Sequence, residues 1–206
     1  MSRRAAGAAP GPIGGPGLRV LFVGINPSLR SAEVCAPVRR YAGVKMEIRP
    51  LLESDAAAIH RSLLGDPEVA AWFRSTGAFT LSECEEMVGR KVAHRAAHGF
   101  GWSLGWEGEE CVGWGIAQYC IVDGGSEVEV GWAVTRSHWR RGIAARLGRH
   151  ALTEIAHLEL HSVVAYTLEH NLASRGVMTK LRMSYEKDFD LHGQPHVLYR
   201  KALRGG

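Results

Sequence analysis

The sequence predicts a mixed α/β domain in which helices flank a central, mostly antiparallel sheet. Three observations carry this. Residues 101–135 hold three strand-like apolar runs separated by turn chemistry, the pattern of an antiparallel meander. Residues 142–157 then repeat apolar side chains at helical spacing, with Ile143, Leu147, Ala151, Ile155 and Leu158 on one face. Finally, Tyr185–Asp190 and Val197–Leu203 read as a closing pair of strands joined by His192-Gly-Gln-Pro195.

Taken in order, the chain begins with a segment of different character. Residues 1–17 are rich in Ala, Gly, Pro and Arg. They offer too little apolar surface to offset the entropy of ordering, so disorder is expected. Residues 18–24, Leu-Arg-Val-Leu-Phe-Val-Gly, predict one strand, ended by Asn26-Pro27-Ser28. The leader, residues 1–44, is therefore expected to be disordered or loosely docked, with the main domain over residues 45–206.

Within that domain, Met46–Leu52 alternates as a strand. Ser54 or Asp55 caps a helix expected to run to Leu64, and Gly65-Asp66-Pro67 stops it. Pro67–Phe73 predicts a short helix with proline at its start. Ser82 is expected to cap a longer helix through His98. The meander follows as Gly101–Glu107, Cys111–Ile121 and Glu127–Thr135. Beyond the 142–157 helix, His161–Leu168 predicts a strand, and Asn171 opens a helix to about Leu181.

Charge and composition exclude several classes. The net charge is +4, but residues 1–45 hold seven Lys/Arg against the one acid Glu33, so the other 161 residues net −2. The body of the protein thus gives no general electrostatic case for nucleic-acid binding. No apolar run approaches the ~20 residues of a membrane span. Gly and Pro interrupt the start of the chain, so no secretory signal is expected. The four cysteines, Cys35, Cys84, Cys111 and Cys120, show no metal spacing and fit a reduced, cytoplasmic protein. His94/His98 and His157/His161 have i,i+4 spacing, but no third ligand accompanies either pair, so no metal is expected.

The stretch that carries chemistry is Trp132–Leu147. A strand ends near Thr135, a basic loop brings Arg136, Arg140 and Arg141 beside Gly142, and a helix begins. Unpaired N–H groups and the dipole at a helix start favour an anion, and a glycine lets backbone approach it. A ligand with a pyrophosphate would fit this cradle.

Residues 46–203 resemble the GNAT superfamily of acetyl-CoA-dependent N-acetyltransferases, most closely the ribosomal-protein N-acetyltransferase type. Ile48-Arg-Pro-Leu51 with Asp55 matches the start of that group, and Glu129-Val-Gly131-Trp132 its fourth strand. Trp139-Arg-Arg-Gly142-Ile-Ala144 sits where the superfamily has Q/R-x-x-G-x-G/A; Trp139 is usual for the subgroup. Asn171-Leu-Ala-Ser174-Arg-Gly-Val177-Met178-Thr-Lys180-Leu181 matches N-x-x-S-x-x-V-x-x-K-L, but Arg182-Met183 replaces the Gly-Phe that usually follows.

The resemblance implies a GNAT fold whose sheet has a splayed parallel strand pair. Acetyl-CoA would lie in that splay, with its pantetheine arm on backbone at Trp132, Ala133 and Val134. Its pyrophosphate would lie on the N–H groups of residues 140–145, with Trp139, Arg140, Arg141, Gly142, Ile143 and Ala144 forming the turn. Asn171 would bond the pantetheine or thioester end.

Transfer to an amine needs a base, because a primary amine is mostly protonated at pH 7. Glu129 is the first candidate and Glu127, two residues along the same strand face, the second. Many GNAT enzymes place a Tyr where this chain has Met178, and a thioether cannot donate a proton. Ser174 is the nearest remaining donor, with Tyr185 a further one. Trp102, Trp106 and Trp114 are candidates to line the acceptor side.

The expected activity is acetyl transfer to a protein N-terminus or small amine. The alternatives are a GNAT-fold domain that binds acetyl-CoA without turnover, and a nucleic-acid role through the leader. The leader enters because Gly17–Ser31, with Gly24-Ile-Asn26-Pro27, resembles the first motif of mismatch-specific uracil/thymine DNA glycosylases. Ser28 replaces that motif's second glycine, and the family's later segments are missing, so the stretch reads as an inactive fragment.

Overall fold

Short-range chemistry sets the local structure of this chain. The computed structural model describes residues 46–203 except Ser75 and His192. In chain order the strands are β1 (Glu47–Pro50), β2 (Ser103–Glu107), β3 (Glu110–Val122), β4 (Gly125–Val134), β5 (Ser162–Leu168), β6 (Ser184–Leu191) and β7 (Gln194–Ala202). The helices are α1 (Ala56–Ile59), α2 (Pro67–Ala70), α3 (Leu81–His98), α4 (Ile143–Glu154) and α5 (Leu172–Lys180). The glycosylase-like segment and the strand expected over 18–24 lie outside the described residues.

Asp123 and Gly124 both take positive φ, 50° and 78°, which makes the two-residue turn that matches strand twist. It sets Val122 opposite Gly125 and zips β3 against β4 up to Gly113 opposite Val134. The sheet order is β1-β2-β3-β4-β5-β7-β6. All neighbours are antiparallel except β4 and β5, which share a single registered pair, Glu129 opposite Val164. Past that pair β4 continues to Val134 and β5 to Leu168 without pairing, so their C-terminal ends splay apart. This is the mixed α/β architecture that the sequence predicted.

The two faces of the sheet bury separate cores. On one face α1–α3 cover Trp102, Leu104, Trp114, Ile116, Val164, Tyr166 and Leu198. On the other, α4 and α5 cover Val130, Trp132, Val163, Ala165 and Val197 through Leu147, Ala151, Met178 and Leu181. The splayed strands therefore have a helix layer on each side.

Two helix starts differ from expectation. Thr80, not Ser82, caps α3. Its hydroxyl accepts the Glu83 N–H at 3.3 Å, and the Glu83 carboxylate accepts the Thr80 N–H at 2.7 Å. Thr80-x-x-Glu83 thereby satisfies two end donors reciprocally. The first helix is not continuous either. A 3₁₀ turn at Glu53–Asp55 leads into α1, which widens into a π turn over His60–Leu64. Asp55 caps this entry by accepting the Leu52 N–H at 2.8 Å, and Arg49 grips the same carboxylate at 2.7 and 2.8 Å.

The missing Gly-Phe after α5 has a visible cost. Arg182 occupies the left-handed region at φ 60°, where a Cβ is strained and glycine is not. Arg182→Gly is expected to raise stability by about 1 kcal/mol, read as a gain of roughly 3 °C in Tm.

Candidate functional site

The loop between β4 and α4 builds the cradle. Thr135 N–H reaches the Val112 carbonyl at 3.0 Å. Alternation along β4 therefore aims the backbone groups of Ala133 at β3 and those of Trp132 and Val134 into the splay. The Trp139 indole takes the Val134 carbonyl at 2.8 Å, pinning the basic loop to the end of the strand. Arg140 and Gly142 then take left-handed φ of 63° and 80°, which folds the loop back onto the start of α4. The first α4 bond at this end runs from Arg146 N–H to Gly142 O at 3.1 Å, and Gly142 has no side chain to cap the turn. The N–H groups of Ile143, Ala144 and Ala145 thus precede the helical bonding and remain to receive an anion.

A cleft of about 390 Å³ lies against this turn. Trp132, Val134, Trp139, Arg140, Gly142, Ile143, Ala144 and Ala145 line one side, and Leu172, Ala173, Ser174, Gly176, Val177 and Lys180 the other. Three residues expected at the cofactor are not in this lining. Ala133 is fully buried, with its backbone spent on β3. Arg141 sits 3.7 Å from Glu107 and is not in the lining. Asn171 is fully buried and caps α5: its Oδ1 accepts the Ser174 N–H at 3.1 Å, and its Nδ2 donates to Thr167 Oγ1 at 3.0 Å. Its amide thus anchors the start of α5.

Ser174 does face the cleft. It is fully buried, and its Oγ has no hydrogen-bond partner among the described residues. A hydroxyl left without a partner in a buried lining is costly unless a ligand completes it. Met178 lies in the core beneath α5, and Tyr185 is 51% exposed on β6; neither lines the cleft.

Glu129 sits at the closed end of the splay, on the α1–α3 face, and is 0% exposed. Gln118 Nε2 donates to its Oε2 at 2.9 Å, and so does the Tyr166 hydroxyl at 3.1 Å. Its Oε1 has no partner among the described residues. Burial pushes this carboxyl up to about 7, against the opposing pull of the Gln118 hydrogen bond, the Lys91 charge and the Tyr166 hydroxyl. Gln118 in turn accepts from Lys91 Nζ at 2.8 Å and Trp102 Nε1 at 3.0 Å. Burial lowers the Lys91 ammonium to about 8, while the Glu129 charge opposes that fall. Glu127 is differently engaged: Arg200 holds it at 2.9 and 3.0 Å and also pairs with Glu186.

Lys91, Gln118 and Tyr166 escaped the sequence reading. Gln118 offered a signal, since it is a polar residue directly after the apolar run Cys111–Ala117 and is buried with it. Trp102 and Trp114 lie on the α1–α3 face with ring centroids 5.1 Å apart, and Trp106 stacks under Arg49 at 4.7 Å. His94 has both nitrogens in use, Nδ1 toward the Phe100 carbonyl at 3.2 Å and Nε2 accepting the Tyr119 N–H at 3.2 Å. No helix among the described residues is long and apolar enough to cross a membrane.

Residues 45–184 match the acetyltransferase (GNAT) domain family, and the chain belongs to it. Solved structures share the fold. YncA from Salmonella typhimurium, solved with its cofactor acetyl-CoA, is 18% identical with a TM-score of 0.64, covering 78% of this chain and 95% of its own. The ribosomal-protein-S5-alanine acetyltransferase from Vibrio fischeri is 17% identical with a TM-score of 0.63, covering 76% and 92%. RimL, a ribosomal L7/L12 alpha-N-protein acetyltransferase in complex with coenzyme A, is 16% identical with a TM-score of 0.62, covering 78% and 96%.

Proposed function

We propose that this protein transfers the acetyl group of acetyl-CoA to a primary amine, either a protein N-terminus or a small molecule. The observation that carries the reading is Glu129: a buried carboxylate at the closed end of a strand splay, with one oxygen unpartnered. The cleft at Trp132 and Val134 suits acetyl-CoA; Glu129 is not in its lining. The open α4 turn and Arg140 would hold the pyrophosphate, and the backbone of Trp132 and the N–H of Val134 would pair the pantetheine arm like an added strand. Ser174 Oγ supplies the donor that a thioester sulfur or thiolate lacks. The names of the ribosomal-protein acetyltransferases among the similar structures support a protein N-terminus as one acceptor class.

Acetyl-CoA supplies an activated acyl carbon. The neutral amine attacks it, the C–N bond forms and the C–S bond breaks. Glu129 takes the proton lost by the amine, through a water because the carboxylate is fully buried. Ser174 Oγ donates a hydrogen bond to the departing sulfur. Ser174→Ala is therefore expected to lower kcat about tenfold, equivalent to roughly 1.4 kcal/mol, with little change in the KM for the amine. Glu127 is left out of the chemistry because Arg200 already satisfies both of its oxygens.

The test combines binding with turnover. Acetyl-CoA titration should raise the melting temperature, and free thiol should appear when alanyl and seryl peptides or small amines are added. Protection without thiol release across the panel would favour a domain that binds acetyl-CoA without turnover. No protection at all would overturn the cleft assignment.

A further inference from the structure

A lysine ammonium and an indole N–H can only donate hydrogen bonds. Lys91 Nζ and Trp102 Nε1 both reach the same end of the Gln118 amide, at 2.8 and 3.0 Å. That end must be the oxygen, because a flipped amide would press its NH₂ group against two donors. The NH₂ end is thereby turned toward Glu129, 2.9 Å from Oε2. Tyr166 adds a second donor to the same oxygen at 3.1 Å, and burial holds its phenol proton on. Oε2 thus carries two hydrogen bonds and Oε1 none among the described residues. An oxygen already accepting two donors is the poorer proton acceptor of the pair.

We propose that Gln118, oriented by Lys91 and Trp102, is a positioning residue that makes Oε1 the proton-accepting oxygen of Glu129, with Lys91 as the cation that opposes the effect of burial on the carboxylate. The proposal rests on the reading of Glu129 as the base. Gln118 touches neither cleft nor acceptor; it acts through the carboxylate. Lys91 comes from α3, Gln118 from β3 and Glu129 from β4, so three elements must pack in register for the orientation to exist.

The groups facing Glu129 bear out this division of labour. Lys91 from α3 is the facing cation. Cys120 on β3 stays a thiol because burial and the charges of Glu129 and Glu127 raise it well above its ordinary value. Tyr166 faces it from β5 as a neutral phenol. Arg200 on β7 is committed to Glu127 and Glu186. Lys91 is therefore the charge whose removal should matter most.

The test is a pH titration of the side-chain carboxyl carbons in carbon-13 glutamate-labelled full chain, where the resonance missing from Glu129→Gln identifies Glu129. Lys91→Met should move the Glu129 midpoint up by about one pH unit or more, and Lys91→Arg should return it toward the wild-type value. Gln118→Glu should convert the site into a coupled acid pair with one midpoint well above 7. The acid limb of kcat for an acceptor peptide should move with the midpoint, while the KM for acetyl-CoA stays put. Wild-type midpoints in both Lys91→Met and Gln118→Glu, in variants that melt cooperatively, would overturn the proposal. Full turnover in Glu129→Gln would instead overturn the base reading, and the titration would still report on the network.

Discussion

Glu129→Gln is expected to lower kcat by about 10²–10⁴-fold, the usual contribution of a placed base, and to make the protein more stable relative to wild type as pH rises. The second half follows from linkage. Burial holds the folded-state value of Glu129 at about 7, above the ordinary 4.5. Below 4.5 both folded and unfolded chains carry the proton, and nothing is lost. Between 4.5 and about 7 the unfolded chain sheds it and the folded chain does not, so stability falls with rising pH and stays reduced above 7. The glutamine variant has no such term. Its carbonyl can still accept from Gln118 and Tyr166, and its NH₂ takes the unpartnered place of Oε1.

Lys91 adds to the trend in the same direction. Without the Glu129 charge its ammonium should fall further below the ordinary value, so the variant loses stability toward acid. The advantage of Glu129→Gln over wild type should therefore grow by about 1–3 kcal/mol between pH 5 and pH 8. Paired melting curves across that range check it. A flat difference would mean that Glu129 is not held protonated by burial. The wild-type kcat should rise through about pH 7, and that acid limb should vanish in the variant.

Trp132→Ala should have the largest effect on stability, about 3–5 kcal/mol, seen as a lowered urea midpoint. The indole is 0% exposed and forms the floor between β4 and α4. Helix α4 can lie this close because position 148 has no side chain. A Cβ there would stand 2.6 Å from Leu181 Cδ1 and 2.9 Å from Trp132 Cε3. Gly148→Ala alone should cost about 1–3 kcal/mol through overpacking. The double variant should cost less than the two changes summed, since the alanine methyl enters the space left by the indole. Simple additivity would show that the methyl and the indole do not compete for that space. Trp132 also lines the cleft, so Trp132→Ala should weaken acetyl-CoA protection.

Much of this architecture was legible because it depends on near neighbours in the chain. Asp123-Gly124 dictates a tight hairpin whatever surrounds it. The apolar repeat from Ile143 to Ile155 dictates which face of α4 is buried. Gly142, with its left-handed φ, is readable as a turn next to cations. The start of α3 was less legible because two local signals compete there, Thr80 with Glu83 and Ser82 with Glu85. For Asn171 a helix cap and a ligand contact were both readable from the sequence; the structure shows the cap, Oδ1 accepting the Ser174 N–H, with Thr167 across the β5–α5 corner holding Nδ2.

By itself the sequence determined the order of elements, the basic glycine turn and a carboxylate on the strand before it. Those features follow from backbone preference and side-chain periodicity, which act over a few residues. The tertiary structure alone decided which of two carboxylates keeps an oxygen without a partner among the described residues. Glu127 and Glu129 are chemically identical and share a strand face, yet Arg200, from a strand more than seventy residues away, takes Glu127. Lys91, Gln118 and Tyr166 converge on Glu129 from three other elements. Long-range packing sets the dielectric and the hydrogen bonds that a carboxylate experiences, and those set when it gives up its proton.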